Sequence, residues 1–121
     1  MTRSRATAKK AGASFERLIA DHLADVVDDR IDRRVKTGAA DKGDIGGVRT
    51  PDGRRVVIEC KNYSGRFEVG AWLNEANNER LNDGAAVGLV VAKRRGTTNP
   101  AEQVVFMTVR DLTALLTSKE N

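Results

Sequence analysis

The sequence predicts a single α/β domain in which helices flank a mixed β-sheet. Segments with helical periodicity alternate with short β-branched segments, in the order helix, three strands, helix, strand, strand, helix. The second and third strands should form an antiparallel hairpin, whereas the long second helix provides a crossover to a parallel neighbour. A chain of 121 residues is large enough for one hydrophobic core and too small for two.

Composition and charge narrow the class of protein. The chain is 40% hydrophobic and 31% charged, as is usual for soluble globular proteins. No apolar run approaches the ~20 residues of a membrane helix, and no signal-peptide pattern is present, so we expect a cytoplasmic protein. The net charge of +4 favours a polyanionic partner. Cys60 and His22 are the only cysteine and histidine, which excludes an intrachain disulfide and argues against zinc and triad chemistry.

The first ten residues form a basic segment without an acidic residue, and the folded domain is predicted to span residues 11–121. The basic residues of this segment are Arg3, Arg5, Lys9 and Lys10. A flexible, solvated tail and an arm that contacts phosphates are equally compatible with this composition. The two can both hold, because such arms often become ordered on binding.

Ser14 is predicted to cap a first helix that runs to about Asp28. Its core stripe follows helical spacing and consists of Phe15, Leu18, Ile19, Leu23 and Val26. Glu16 lies in the first turn, where an acidic residue stabilises the helix dipole whether or not it has another role. Residues 30–37 alternate weakly and predict an edge strand.

A β-hairpin is predicted around the turn residues Pro51-Asp52-Gly53, because the segment that follows them is β-branched. If Thr50 pairs with Gly53, then Asp44 on one strand lies directly opposite Glu59 on the other. A bulged turn would shift this register by one residue.

Acidic and basic side chains are expected to meet on one face of this hairpin. Glu59 and Lys61 point to the same face and Cys60 to the other, where its thiol should be core. Two facing carboxylates repel, and a bound divalent cation such as Mg²⁺ explains their pairing. Asp41 is a rival to Asp44, but its position favours a loop role.

The second half of the chain contains a helix over residues 68–82, closed by Asp83-Gly84. Trp72 on this helix is more typical of a core anchor than of a dimer contact, although large aromatic residues serve both roles. Residues 85–92 form an apolar run that predicts a strand buried on both faces. Residues 104–109 predict a last strand, and Asp111 should cap a short helix ending near Thr117.

A basic cluster, Lys93-Arg94-Arg95, follows the buried strand of residues 85–92. A solvated loop has this composition too. We favour contact with DNA phosphates, because the cluster lies at the end of a central strand.

Asp44 followed by Glu59-x-Lys61 resembles the core motif of the PD-(D/E)XK nuclease superfamily, with Gly43 where proline is usual. The wider order of motifs resembles the archaeal-type and phage Holliday junction resolvases, enzymes of DNA recombination and repair. That order is a basic N-terminus, Gly-x-x-Phe-Glu, Gly-Asp-Ile, Glu-Cys-Lys-Asn, a Trp-bearing helix and Lys-Arg-Arg-Gly. The resemblance spans residues 10–117.

The resemblance implies an αβββαβ restriction-endonuclease-like core, extended here by a strand and a C-terminal helix. It implies a Mg²⁺-dependent endonuclease, with Mn²⁺ as a substitute, in which Asp44, Glu59 and the Cys60 carbonyl bind metal. Lys61 would orient water or stabilise the transition state, and Glu16 would bind a second metal or its water. The implied partners are branched DNA and a second copy of the chain. A flap, single-strand or restriction-type nuclease and an inactive DNA-binding module remain alternatives.

Overall fold

The computed structural model describes residues 4–35 and 41–117, and it confirms the predicted α/β class. The elements are α1 (Arg5–Val26), β1 (Asp32–Arg33), β2 (Ile45–Gly46), β3 (Val56–Lys61), α2 (Val69–Asp83), β4 (Val87–Ala92), a 3-10 turn (Pro100–Glu102), β5 (Val104–Phe106) and α3 (Val109–Leu116). None of the helices in these ranges is long and apolar enough to cross a membrane.

The five strands form one sheet in the order β1-β2-β3-β4-β5. Only β3 and β4 are parallel, and α2 forms the crossover between them, whereas the other neighbours are antiparallel. One core cluster joins α1 and α3 to one face of the sheet, and a second cluster around Trp72 joins α2 to the other face. The sheet therefore lies between two helical layers.

The first helix begins earlier than the sequence predicted. Ser4, not Ser14, is the N-cap, and its hydroxyl oxygen accepts a hydrogen bond from the Thr7 amide at 3.1 Å. Residues 5–13 are rich in alanine and lysine, which favour helix without supplying the apolar spacing that marks a core-facing segment. Arg5, Lys9 and Lys10 therefore lie exposed on the first turns of α1, and Arg3 lies outside the described residues.

The hairpin has the predicted register at Asp44 and Glu59, but its turn and its first strand differ from the prediction. Near the turn, the Thr50 amide donates to the carbonyl of Arg54, so the loop is one residue longer than predicted. An extra residue on the β2 side, where Gly47 has φ of +83°, compensates for this shift. Ile45 then pairs with Ile58, and the same register places Asp44 beside Glu59.

The second half of the chain follows the prediction closely. α2 ends at Gly84, whose φ of 62° is a left-handed C-cap, and β4 is a buried strand near the centre of the sheet. β5 is shorter than predicted. α3 is capped by Thr108, because the Asp111 amide donates to the Thr108 hydroxyl at 3.2 Å.

The prediction that Asp111 caps α3 is wrong, because its side chain binds a backbone amide of β4 instead. Its Oδ2 accepts a hydrogen bond from the Gly88 amide at 3.0 Å. β5 pairs with only the last three residues of β4, so the Gly88 amide lies beyond the paired edge. The carboxylate therefore satisfies a buried backbone donor that no strand reaches.

Trp72 is a core residue, as the sequence favoured. Its side chain is 3% exposed and packs with Ala76, Val90 and Ala92 between α2 and the sheet. This burial leaves almost no indole surface for a second protein, and the suggested role of Trp72 in a dimer interface is not supported.

Candidate active site

The candidate site lies where the end of β3 meets α2. Val56, Ile58 and Cys60 belong to the core cluster on the α1 and α3 face. Because side chains alternate along a strand, Glu59 and Lys61 point to the opposite face, toward α2. The Cys60 thiol is thus a core group, as predicted.

Three carboxylates converge between β3, α2 and the loop before β2. Oxygen atoms of Asp41, Glu59 and Glu79 all lie within 4.8 Å of one another. Glu59 is 5% exposed and Glu79 is 2% exposed. Oε2 of Glu59 and both oxygens of Glu79 are buried and accept no hydrogen bond from the residues that the structure describes. Buried acceptors of this kind are costly unless a ligand satisfies them.

Burial and mutual repulsion disfavour ionisation of these acids. Burial raises the pKa of Glu59 well above its ordinary value, and the neighbouring carboxyls of Glu79 and Asp44 raise it further. Burial raises the pKa of Glu79 as well, and the charge of Asp41 adds to that rise. A divalent cation would reverse this balance, since it stabilises the charged forms of all its ligands.

Asp44 is buried at the same site, as predicted. Its Oδ2 accepts a hydrogen bond from the Cys60 amide at 2.8 Å, which ties it to β3 next to Glu59. Gly43 precedes it with φ of +93°, and a Cβ there would lie 2.7 Å from Val57 Cγ1. Proline, fixed near φ of −65°, cannot adopt this backbone, which explains the departure from the usual motif.

Lys61 lies between two carboxylates. Its Nζ is 2.7 and 3.0 Å from the Glu75 oxygens and 3.7 Å from Glu59 Oε1. Burial lowers the pKa of Lys61, but the hydrogen bond to Glu75 and the charge of Glu59 outweigh it, so the pKa is raised. Lys61 is therefore an ammonium group held beside the carboxylates.

Glu16 is not among the three converging carboxylates. Its Oε1 lies 3.5 Å from Nη2 of Arg33, and its side chain is half-buried on α1. The structure brings together Asp44, Glu59 and Lys61. The metal roles of Asp44, Glu59 and Glu16 stay predictions. The role of the Cys60 carbonyl also stays a prediction.

Asp41, Glu75 and Glu79 were not identified as site residues from the sequence. Asp41 was assigned a loop role, and it does accept a hydrogen bond from the Gly43 amide at 2.9 Å. Its carboxylate nevertheless reaches the cluster, helped by Asn82, which donates to the Asp41 carbonyl at 2.9 Å. Glu79 had a usable signal, because it shares the buried face of α2 with Trp72 and Ala76.

The three basic residues of the predicted phosphate-binding cluster after β4 differ in their contacts. Lys93 Nζ donates to the carbonyls of Arg94 and Thr97, so this ammonium shapes its own loop. Arg94 is exposed, with Nη1 at 3.9 Å from Glu102. Arg95 is exposed. Contact of these residues with DNA stays a prediction.

The fold and the site together match the PD-(D/E)XK class, in which an aspartate on a hairpin and Glu-x-Lys on its next strand meet in an α/β sheet. A comparison with protein-family models supports this class, since the family described as "Phage putative PDDEXK endonuclease" matches residues 7–121. The chain belongs to this phage PDDEXK endonuclease family. Searches of curated proteins and of solved structures find no match.

Proposed function

We propose that the protein is a Mg²⁺-dependent DNA endonuclease that resolves four-way junctions by paired symmetric nicks. One observation carries the metal-dependent chemistry. Buried carboxylate oxygens of Glu59 and Glu79 converge with Asp41 without hydrogen bonds from described residues, beside the ammonium of Lys61. Carboxylate oxygens are the ligands that Mg²⁺ prefers, so the donor set fits this ion.

Asp44 and Glu59 are the proposed metal ligands, and by resemblance the Cys60 carbonyl is a third. Asp41 and Glu79 would hold the ion directly or through water, a role that the sequence did not indicate. When bound, the ion lowers the pKa of a coordinated water and neutralises charge on the phosphate.

Lys61 would act on the phosphate. Glu75 holds its ammonium at 2.7 Å, which fixes the direction of a long and otherwise mobile side chain. A preorganised positive charge at this position stabilises the negative charge that builds up during phosphodiester hydrolysis.

The proposed junction substrate requires that the protein act as a dimer. A symmetric junction requires two coordinated nicks, hence two active sites related by a two-fold axis. Exposed apolar side chains on β5 and α3 offer a self-association surface, formed by Val105, Val109, Leu112 and Leu116. Basic side chains for phosphate contacts are Arg5, Lys9, Lys10, Arg94 and Arg95, together with Lys93 and with Arg3 outside the described residues.

Cleavage of labelled four-way junction, flap and linear duplex of equal length, in Mg²⁺ and in EDTA, tests this function. We expect Mg²⁺-dependent cutting with the junction preferred, and product duplexes whose nicks can be ligated. Equal cutting of all substrates would leave the less specific nuclease as the function. Binding without cutting in Mg²⁺ would leave an inactive DNA-binding module.

A further inference from the structure

Two exposed aromatic rings lie directly beside the candidate active site. Tyr63 and Phe67 are 40% and 41% exposed, and Tyr63 follows Lys61 by two positions on the chain. Tyr63 packs on Trp72, whose helix also supplies the Glu75 carboxylate that binds Lys61, so the ring lies near the Lys61 ammonium. Exposed rings next to a reactive centre are available to a substrate.

A buried aromatic base supports these rings. Trp72 lies beneath both, with centroid distances of 5.3 Å to Tyr63 and 6.4 Å to Phe67, and Phe106 lies 5.1 Å from Phe67. Trp72 is one helical turn from Glu75, which holds Lys61. The aromatic cluster and the acidic cluster therefore share one face of α2.

The loop that carries the rings has a fixed shape. Asn62 Oδ1 accepts a hydrogen bond from the Ser64 amide at 3.2 Å, and the Arg66 amide donates to the Tyr63 carbonyl at 3.1 Å. Ser64 has φ of 56°, a conformation that non-glycine residues rarely adopt. A Cβ at Gly65 would lie 2.8 Å from Cβ of Arg95, so the two loops pack closely. The rings are thus held in place before any ligand binds.

Two guanidinium groups accompany the rings. Arg66 lies over Tyr63, with its guanidinium carbon 5.3 Å from the ring centroid, and its side chain is largely exposed. Arg95 makes no hydrogen bond or ion pair with the residues that the structure describes. Positive charge beside the exposed rings suits an anionic strand better than an apolar protein surface.

We propose that Tyr63 and Phe67, with Arg66 and Arg95, form a shelf on which an unpaired nucleobase stacks beside the bond to be cut. This inference rests on the proposed nuclease function and specifies its substrate as DNA with unpaired or unstacked nucleotides near the cut. Aromatic rings stack on any base, so the shelf selects DNA structure and not sequence. In a plain duplex the bases are stacked on each other and do not reach the rings.

Binding of fluorescein-labelled DNA in EDTA, where the bond is not cut, tests the shelf. Tyr63→Leu and Phe67→Leu keep apolar packing and remove the aromatic face, and Tyr63→Phe keeps the ring. We expect each Leu variant to bind a flap or a single strand about 5- to 150-fold more weakly, with unchanged affinity for plain duplex. Tyr63→Phe should bind like the parent protein. Leu81→Ala, an exposed apolar change at the far end of α2, is the matched control.

Direct stacking is measured with 2-aminopurine placed at successive positions of the unpaired strand. We expect quenching at one position near the cut in the parent protein, lost in the Leu variants. Equal affinity of parent and Leu variants for every substrate, with unchanged melting temperatures, would overturn the shelf. Cleavage by the parent in Mg²⁺ is scored separately, so that failure of the shelf leaves the nuclease intact and failure to cut leaves the shelf testable by binding.

Discussion

Glu59 and Asp44 are the side chains on which the proposed chemistry depends most directly. Glu59→Gln or Asp44→Asn keeps the side-chain size and removes a charge that the proposed metal site requires. We expect cleavage to fall by about a hundredfold or more, while DNA binding in EDTA is retained. Asp29→Asn, on the exposed turn after α1, is the control and should cut normally. Near-normal cleavage by either site variant would show that the site is elsewhere.

Lys61 can be separated from the metal ligands by a different pair of measurements. Lys61→Ala should slow cleavage and leave the affinity for Mn²⁺ nearly unchanged, because Lys61 is assigned to the phosphate and the water. Single-turnover rates and calorimetric titration with Mn²⁺ measure the two properties. Loss of Mn²⁺ binding together with recovery of the rate at high Mg²⁺ would mean that Lys61 only positions the carboxylates.

Glu79 makes the metal-free protein sensitive to pH. Its pKa and that of Glu59 are raised above the ordinary 4.5, so the folded state holds protons that the unfolded state has released. The free energy of unfolding is therefore highest below about pH 4.5, where both carboxyls are protonated in both states. It falls as the pH rises toward and through the pKa values of the folded state.

Thermal unfolding in EDTA from about pH 5 to about pH 8 measures the effect. Glu79→Gln should raise the melting temperature at about pH 8 and weaken the dependence of the melting temperature on pH. Each kcal/mol of added stability should raise the melting temperature by about 4 °C. Mg²⁺ should stabilise the parent protein at high pH. If Glu79→Gln instead lowers the melting temperature in EDTA, the inference that the unligated carboxylates destabilise the folded protein is wrong.

Arg54 links the hairpin turn to the end of α3, so replacing it should weaken the packing of α3 against the hairpin. Its Nη2 donates to the carbonyls of Ala114 and Thr117, and its Nε lies 3.0 Å from Asp52. We expect Arg54→Ala to lower the free energy of unfolding by about 1.5–3 kcal/mol, the range for hydrogen bonds from charged groups. Arg49→Ala, which removes one hydrogen bond to the Gly53 carbonyl of the same turn, is the control. Equal loss in both variants, measured by urea unfolding, would contradict this role.

The sequence predicted elements well where the pattern was local. The apolar run of β4, the β-branched run of β3 and the glycine that ends α2 each determine nearby backbone or burial. The start of α1 was missed because alanine and lysine propensity, not apolar spacing, extends it to Ser4. Asp41 was missed because its position depends on how the loop before β2 packs against β3, which no local pattern encodes. Glu79 could have been found, because its helical spacing from Trp72 and Ala76 places it on the buried face of α2.

For the whole molecule, the central expectation is a two-fold dimer that carries two active sites. Val109, Leu112 and Leu116 are exposed on α3, and replacing Leu112 and Leu116 together by Glu should shift a dimer to monomer. Light scattering after gel filtration measures the mass, and paired nicking of a junction should be lost while single nicks persist. A monomeric parent protein that still cuts both strands symmetrically would contradict the dimer.

Anomalous diffraction from crystals grown with Mn²⁺ tests most directly whether the acidic cluster is a metal site. We expect a peak within about 2.5 Å of carboxylate oxygens of Asp44 and Glu59, with Asp41 or Glu79 close to it. Ordered carboxylates without a peak, at a Mn²⁺ concentration that supports cleavage, or a single peak elsewhere on the protein would contradict the proposed site.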